Sequence, residues 1–201
     1  MQSKAVTAPD NKAKILAAAS ALLLEKGLAA LSVRAISRAA GLSTIAIYSH
    51  FEGKQGVLDA LYIEGFGLVE QAVDSVRDIP DPIEAALTSA EKYLEIADRQ
   101  EGHYRLIFGE TGNGFTPSAE AYSAAQHAFE ALVAQVTRLL PATASHGQRQ
   151  RAALRLWALL HGYVSLRHHV IGQVLDYAQW KNMTMESFRL AVDHLAATQA
   201  P

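Results

Sequence analysis

The stretch GLSTIAIYSHFEGK, Gly41 to Lys54, gathers groups that favour water around only a few apolar positions. Ser43, Thr44 and Ser49 carry hydroxyls, Tyr48 a phenol, His50 an imidazole and Lys54 an ammonium. All can donate hydrogen bonds, which is the chemistry of gripping an anion. On a nucleic acid such groups would divide into contacts to phosphates, which set position, and contacts to base edges, which set sequence. Tyr48, His50 and Lys54 suit phosphates, and Ser32 and Ser43 can bring capped helix N-termini toward the same backbone. Arg34 can hold guanine bidentately, while Thr44 can reach a base edge and Ile45 or Ala46 a thymine methyl. Ser49 is too short to reach far, and Arg38 would look the same as a merely solvated arginine.

The elements that must position these groups are helices. Apolar residues recur at helical spacing, and no alternating strand or Asn-Gly hairpin signal is found. The expected fold class is all-α, with about nine helices. Asp10 can cap a first helix whose Ile15, Leu16, Ala19, Leu22 and Leu23 form one stripe, stopped by Gly27. Ser32 caps a second, turning Val33, Ile36 and Ala40 inward, and Gly41 ends it as a residue at ease with positive φ. Ser43 caps a third, on which Ile47 and Phe51 face the core and leave Thr44, Ile45, Tyr48, Ser49 and His50 outside. Two short helices around a glycine, with the second presenting polar groups, form a helix-turn-helix pattern. A short connector helix with a solvated face shows the same spacing.

Charge follows the same division. The formal net charge is −2, but Met1–Lys54 carries seven Lys or Arg against three Asp or Glu, a balance of +4, and the remainder a balance of −6. A basic head on an acidic body fits a module that meets a polyanion, although four surplus charges can also arise by chance. The length of 201 residues and an apolar share of 50% suit a packed globular chain.

LSVRAISRAAGLSTIAIYSHFEGKQGVLDALY, Leu31 to Tyr62, resembles the DNA-binding signature of the TetR family of transcriptional repressors. The match runs through the capped SVRAI helix, the AAGLS turn, a recognition helix ending in IYSHF, and GK opening a long helix. Where the family often has proline or glycine early in the recognition helix, this chain has Thr44, Ile45 and Ala46. The resemblance implies a three-helix DNA-binding domain, residues 1–56, and an effector-binding and dimerisation domain, residues 57–201. It also supports the DNA-contact positions Ser32, Arg34, Ser43, Thr44, Ile45, Ala46, Tyr48, His50 and Lys54.

A single helix-turn-helix contacts too little DNA for tight selective binding, so such proteins pair and read palindromic half-sites about 34 Å apart or a multiple of it. RAALRLWALLHGYVSLRHHVIG places Leu154, Trp157, Leu160, His161, Val164 and His168 at helical spacing, and a later helix carries Phe188, Leu190, Ala191, Val192 and Leu195. Two such helices from each subunit would make a four-helix homodimer interface, as the resemblance also implies; an ordinary intrachain pair has the same pattern.

Between the ends, the helix opened by Lys54 should run toward Ile79, and Asp81-Pro82-Ile83-Glu84 should restart the chain. Further helices are expected over Ala85–Arg99, Tyr104–Phe108 and Ser118–Leu140, with the glycine-rich GETGNGFTP as a pocket lid or a surface loop. Tyr93, His103, Tyr104, Phe108, Tyr122, His127, Trp157 and His161, with Phe115 and Phe129 nearby in sequence, could line a cavity for a small, largely apolar effector, or be ordinary core. WALLHG resembles a Trp-His-Gly motif of one branch of TetR-like regulators, and Gly162 inside a helix suggests close approach by a backbone or ligand.

His161, His168 and His169 can share a helix face, which leaves a metal-sensing alternative. A helical interaction module without DNA binding is another. The chain shows no GxSxG elbow, P-loop or dinucleotide fingerprint and no acid-base set, so neither catalysis nor a cofactor is expected. The absence of cysteine, of a signal pattern and of a long apolar run points to the cytoplasm, with no membrane partner.

Overall fold

A computed structural model of the chain describes residues 10–108, 115–169, 172 and 174–197. Among them are nine α-helices, short 3-10 segments and no strand. The glycine-rich break expected over residues 109–117 lies largely outside the described residues.

The chain forms two compact units, one from Met1–Gly65 with Gln100–Ser123, the other from Phe66–Arg99 with Ala124–Pro201. In the first, α1 (Asn11–Lys26) begins where Asp10 accepts a hydrogen bond from the Lys12 amide and ends at Gly27, whose φ of 72° suits glycine. A 3-10 turn, Leu28–Ala30, leads to α2 (Val33–Ala40) and α3 (Thr44–Phe51). The first part of α4 (Lys54–Asp74) and the short α6 (Glu101–Ile107) complete the unit, with α1 packed on α2 and α6. Ile15, Ile36, Ile47 and Leu58 form its fully buried centre, so the core is assembled from one stripe of each helix.

Between α1 and α6 the backbones nearly touch: a β-carbon on Gly102 would lie 2.5 Å from the Ser20 hydroxyl and 2.8 Å from the Ser20 carbonyl. The neighbouring His103 is 7% exposed, with its ring nitrogens 3.4 Å from Ser20 Oγ and 3.3 Å from Glu64 Oε2, linking α6 to α1 and α4.

The second unit contains the remainder of α4, α5 (Pro82–Arg99), most of α7 (Ala119–Thr137), α8 (His146–His168) and α9 (Tyr177–Ala197). α4 stops at Asp74, short of the expected Ile79. Ser75 donates its hydroxyl to the Ala72 carbonyl, and Val76 and Arg77 close tight turns onto Val73 and Asp74, which unwinds the helix before Pro80 is reached. Asp81 then accepts from the Ile83 amide, as a cap should. α5 packs on α8 and α9, and the last two helices pack on each other; Leu160 and Val164 of α8 and Phe188 and Val192 of α9 are buried. Arg167 pairs with Asp98 and lies 4.6 Å from the Tyr177 ring centre and 5.2 Å from that of Trp180. Burial and, next, the Asp98 and Glu95 carboxylates hold the Tyr177 phenol above its ordinary pKa.

Candidate nucleic-acid interface and ligand cavity

Two serines fix the entrances of the helix pair. Ser32 Oγ accepts from the Ala35 amide at 3.1 Å and Ser43 Oγ from the Ala46 amide at 3.3 Å, each satisfying an otherwise orphaned donor. Between them Gly41 adopts the left-handed conformation, φ 67° and ψ 31°, while its amide and that of Leu42 close back on α2 carbonyls. The turn therefore has one residue type that fits it without strain.

α3 divides into two faces. Ile47 is fully buried and Phe51 nearly so, whereas Ile45 is 77% and Tyr48 59% exposed, an unusual placement for two large side chains. Ser43, Thr44, Ser49 and His50 are also exposed, with Ser32 and Arg34 exposed on or beside α2, and Ala46 half-buried. Ser49 turns its hydroxyl back onto the Ala46 carbonyl at 3.0 Å, in keeping with its short reach. Glu52 ends α3 in the left-handed region, φ 58°, and Gly53 follows at φ 111° beneath the Tyr48 ring. Lys54 differs from the sequence expectation of a side chain aimed at an anion, since its ammonium donates to the Leu28 carbonyl at 3.3 Å. What α4 offers an anion at this end is its first-turn amides, with the lysine charge held close behind.

The second unit holds a small cavity of about 40 Å³, walled by residues from α4, α5, α7, α8 and α9. Of the eight residues the sequence nominates for a ligand, Tyr93 and Trp157 line it. His103, Tyr104, Phe108 and Tyr122 belong to the first unit, where Tyr104 and Phe108 pack ring to ring at 4.7 Å. His127 is exposed on α7, and His161 half-buried on α8. Phe129 stacks on Trp157 at 5.9 Å. Sequence reasoning missed Ser89 and Gln135, buried polar residues that also line the cavity. A glutamine among Leu132, Val133 and Val136 was the available signal. Among the described residues no three metal-ligating side chains come together, so the metal-sensing alternative through His161, His168 and His169 gains no support. No described helix is long and apolar enough to cross a membrane.

Residues 15–61 match the sequence profile of bacterial regulatory proteins, tetR family, and residues 86–195 match that of the tetracyclin repressor-like C-terminal domain. No curated protein matches the chain. Among solved structures, a tetR-family bacterial regulatory protein from Rhodococcus is similar at a TM-score of 0.71 with 18% identity, covering 94% of this chain and 98% of that one. The transcriptional regulator PfmR from Thermus thermophilus is similar at 0.67 with 20% identity, covering 91% and 94%. The fatty acid degradation regulator FadR from Bacillus halodurans is similar at 0.70 with 16% identity, covering 94% and 95%. At these identities the structures speak to fold, and the two profiles, which between them span both ends of the chain, speak to descent. The chain belongs to the TetR family of helix-turn-helix, DNA-binding transcription regulators.

Proposed function

We propose that the protein is a repressor that binds a palindromic operator as a homodimer and is released by a small, largely apolar effector. The observation that carries this reading is the exposure of Ile45 and Tyr48 on a short helix anchored by a fully buried Ile47. A helix that only connected core elements would have no reason to hold large side chains in water. Residues 1–56 act as the reading head and 57–201 as the sensing and pairing body. Arg34, Thr44, Ile45 and Ala46 meet base edges, and Ser32, Ser43, Tyr48, His50 and the α4 terminus at Lys54 meet phosphates. The chain works by binding, and no step of catalysis is assigned to it.

The pairing surface differs from the stripe that periodicity suggests. Leu160, Val164, Phe188 and Val192 are buried within the chain, while Leu154, Leu166, Met183 and Leu190 are exposed. Leu154, Ala158, Gly162 and Leu166 fall on one outward strip of α8, and beyond the helix's own neighbouring backbone nothing among the described residues comes within 4 Å of a β-carbon built on Gly162. The close approach expected at that glycine is therefore left to a second subunit, which would lay its own α8 and α9 on this face.

α4 supplies the lever. Its first residues belong to the reading unit, and Val69, Ala72 and Val73 near its other end wall the cavity. Effector binding would favour a head spacing that no longer matches successive major grooves, with a coupling of about 1–3 kcal/mol. Duplex affinity measured against salt tests the DNA half of the proposal. Log K should fall steeply and linearly with log salt, and Tyr48→Ala should weaken operator binding at every salt concentration. The absence of any salt-dependent affinity for duplex would instead favour a helical module that binds no DNA.

A further inference from the structure

The cavity described above has a wall made almost wholly of apolar side chains, and no Asp, Glu, Lys, Arg or His is among them. Two of its few polar members are arranged unusually. Ser89, in the middle of α5, is 6% exposed, and its hydroxyl makes no hydrogen bond to any described residue. A serine inside a helix commonly turns its hydroxyl onto the carbonyl four residues earlier, here that of Ala85. That carbonyl already accepts a hydrogen bond at 3.0 Å from Gln135 Nε2 on α7. The glutamine is thereby oriented with one of its two amide N–H groups committed, leaving the other N–H as a donor and the amide oxygen as an acceptor. Ser89 and Gln135 thus share one patch of an apolar wall, where a ligand hydroxyl could both donate, to the glutamine oxygen, and accept, from the serine.

A second hollow, open to solvent and of about 310 Å³, shares Val73 and Gln135 with the cavity wall. It lies between the end of α4 and α7, and those two side chains border both spaces. Two arginines stand in it, but both are committed. Arg77 pairs with Asp74 at 2.6 Å, and Arg138 donates to the Ile79 and Pro80 carbonyls. Neither the cavity nor the hollow beside it presents an uncommitted charge to an ionic ligand, and burying an ion there would go uncompensated.

We infer that the effector is a neutral, mainly apolar molecule bearing one hydroxyl, a phenol or an alcohol, which enters past Val73 and Gln135 and is held by that hydroxyl between Ser89 and Gln135. The hydroxyl would donate to the glutamine oxygen and accept from the serine. This rests on the effector-responsive reading above but concerns the cavity alone, so it is tested without DNA. The test is calorimetric titration of the full-length protein with 4-ethylphenol, ethylbenzene and 4-ethylbenzoate. 4-Ethylphenol should bind about five- to tenfold more tightly than ethylbenzene, the ratio expected for one buried hydrogen-bonded group, and 4-ethylbenzoate should not bind measurably. Ser89→Ala should erase the preference for the phenol while leaving ethylbenzene unchanged, a result that general unfolding would not give. Val73→Ala should speed 4-ethylphenol association several-fold, followed by indole fluorescence from Trp157; an unchanged rate would overturn the way in. Equal binding of phenol and hydrocarbon, tightest binding of the benzoate, or no binding of any probe would each overturn the hydroxyl assignment. Loss of DNA affinity in a parallel titration would bear on repression, so the two readings can fail separately.

Discussion

The carbonyl oxygen of Phe51 occupies the space a side chain would need at Gly56, so that a β-carbon built there would overlap it outright. The last residue of α3 and the first turn of α4 therefore meet backbone to backbone, across a reversal made by Glu52 and Gly53. A reading helix seated this way on α4 has little freedom to tilt by itself. Gly56→Ala should destabilise the fold by about 3 kcal/mol or more, because the obstacle is main chain that cannot swing aside. Urea denaturation checks this, and a stability within about 0.5 kcal/mol of the parent would mean that the junction is loose.

Glu52 is the only described residue other than glycine at positive φ, and it is exposed beside the proposed DNA face. Glu52→Gly should raise stability by about 1 kcal/mol by relieving the left-handed conformation. Glu52→Gln keeps the strain and removes the charge, so it should tighten duplex binding without changing stability appreciably. Thermal melts and fluorescence anisotropy of both variants separate strain from charge.

Arg167 combines an ion pair to Asp98 with stacking over Tyr177 and Trp180, which a lysine cannot reproduce. Arg167→Lys is expected to cost about 1–2 kcal/mol despite conserving the charge. Equal stability of the two proteins in chemical denaturation would show that the cluster is ornamental.

Leu190 is 72% exposed on α9 within a single chain. If the outward faces of α8 and α9 pair two subunits, Leu190→Glu should raise the dimer dissociation constant at least about tenfold, as expected for burying a repelling charge pair. Sedimentation across a range of concentrations measures it, and an unshifted equilibrium would move the interface elsewhere.

The reading head was far more legible than the sensing body. Asp10, Ser32, Gly41 and Ser43 announce helix ends by local chemistry, and each does what its residue type requires. Periodicity also separated Ile47 and Phe51 from the outward residues of α3, because a short helix with two apolar positions has one possible core face. α8 has apolar residues on several sides, so spacing alone could not tell Leu154, which is exposed, from Leu160 and Val164, which are buried. The cavity was harder still. Its wall is contributed by five helices distant in sequence, and aromatic content drew attention to Tyr104 and Phe108 instead of Ser89 and Gln135. Gly56 and Gly102 carry no sequence mark that distinguishes a backbone contact from a poor helix former.

The most direct test of the central claim is selection of bound duplexes from random DNA by the full-length protein, with a Tyr48→Ala, Lys54→Ala variant beside it. Recovery of an inverted repeat by the parent, lost in the variant, is the predicted result, since a symmetric pair of reading heads selects symmetric DNA. Weak binding with no sequence enriched in either protein would contradict a dimeric DNA-reading regulator.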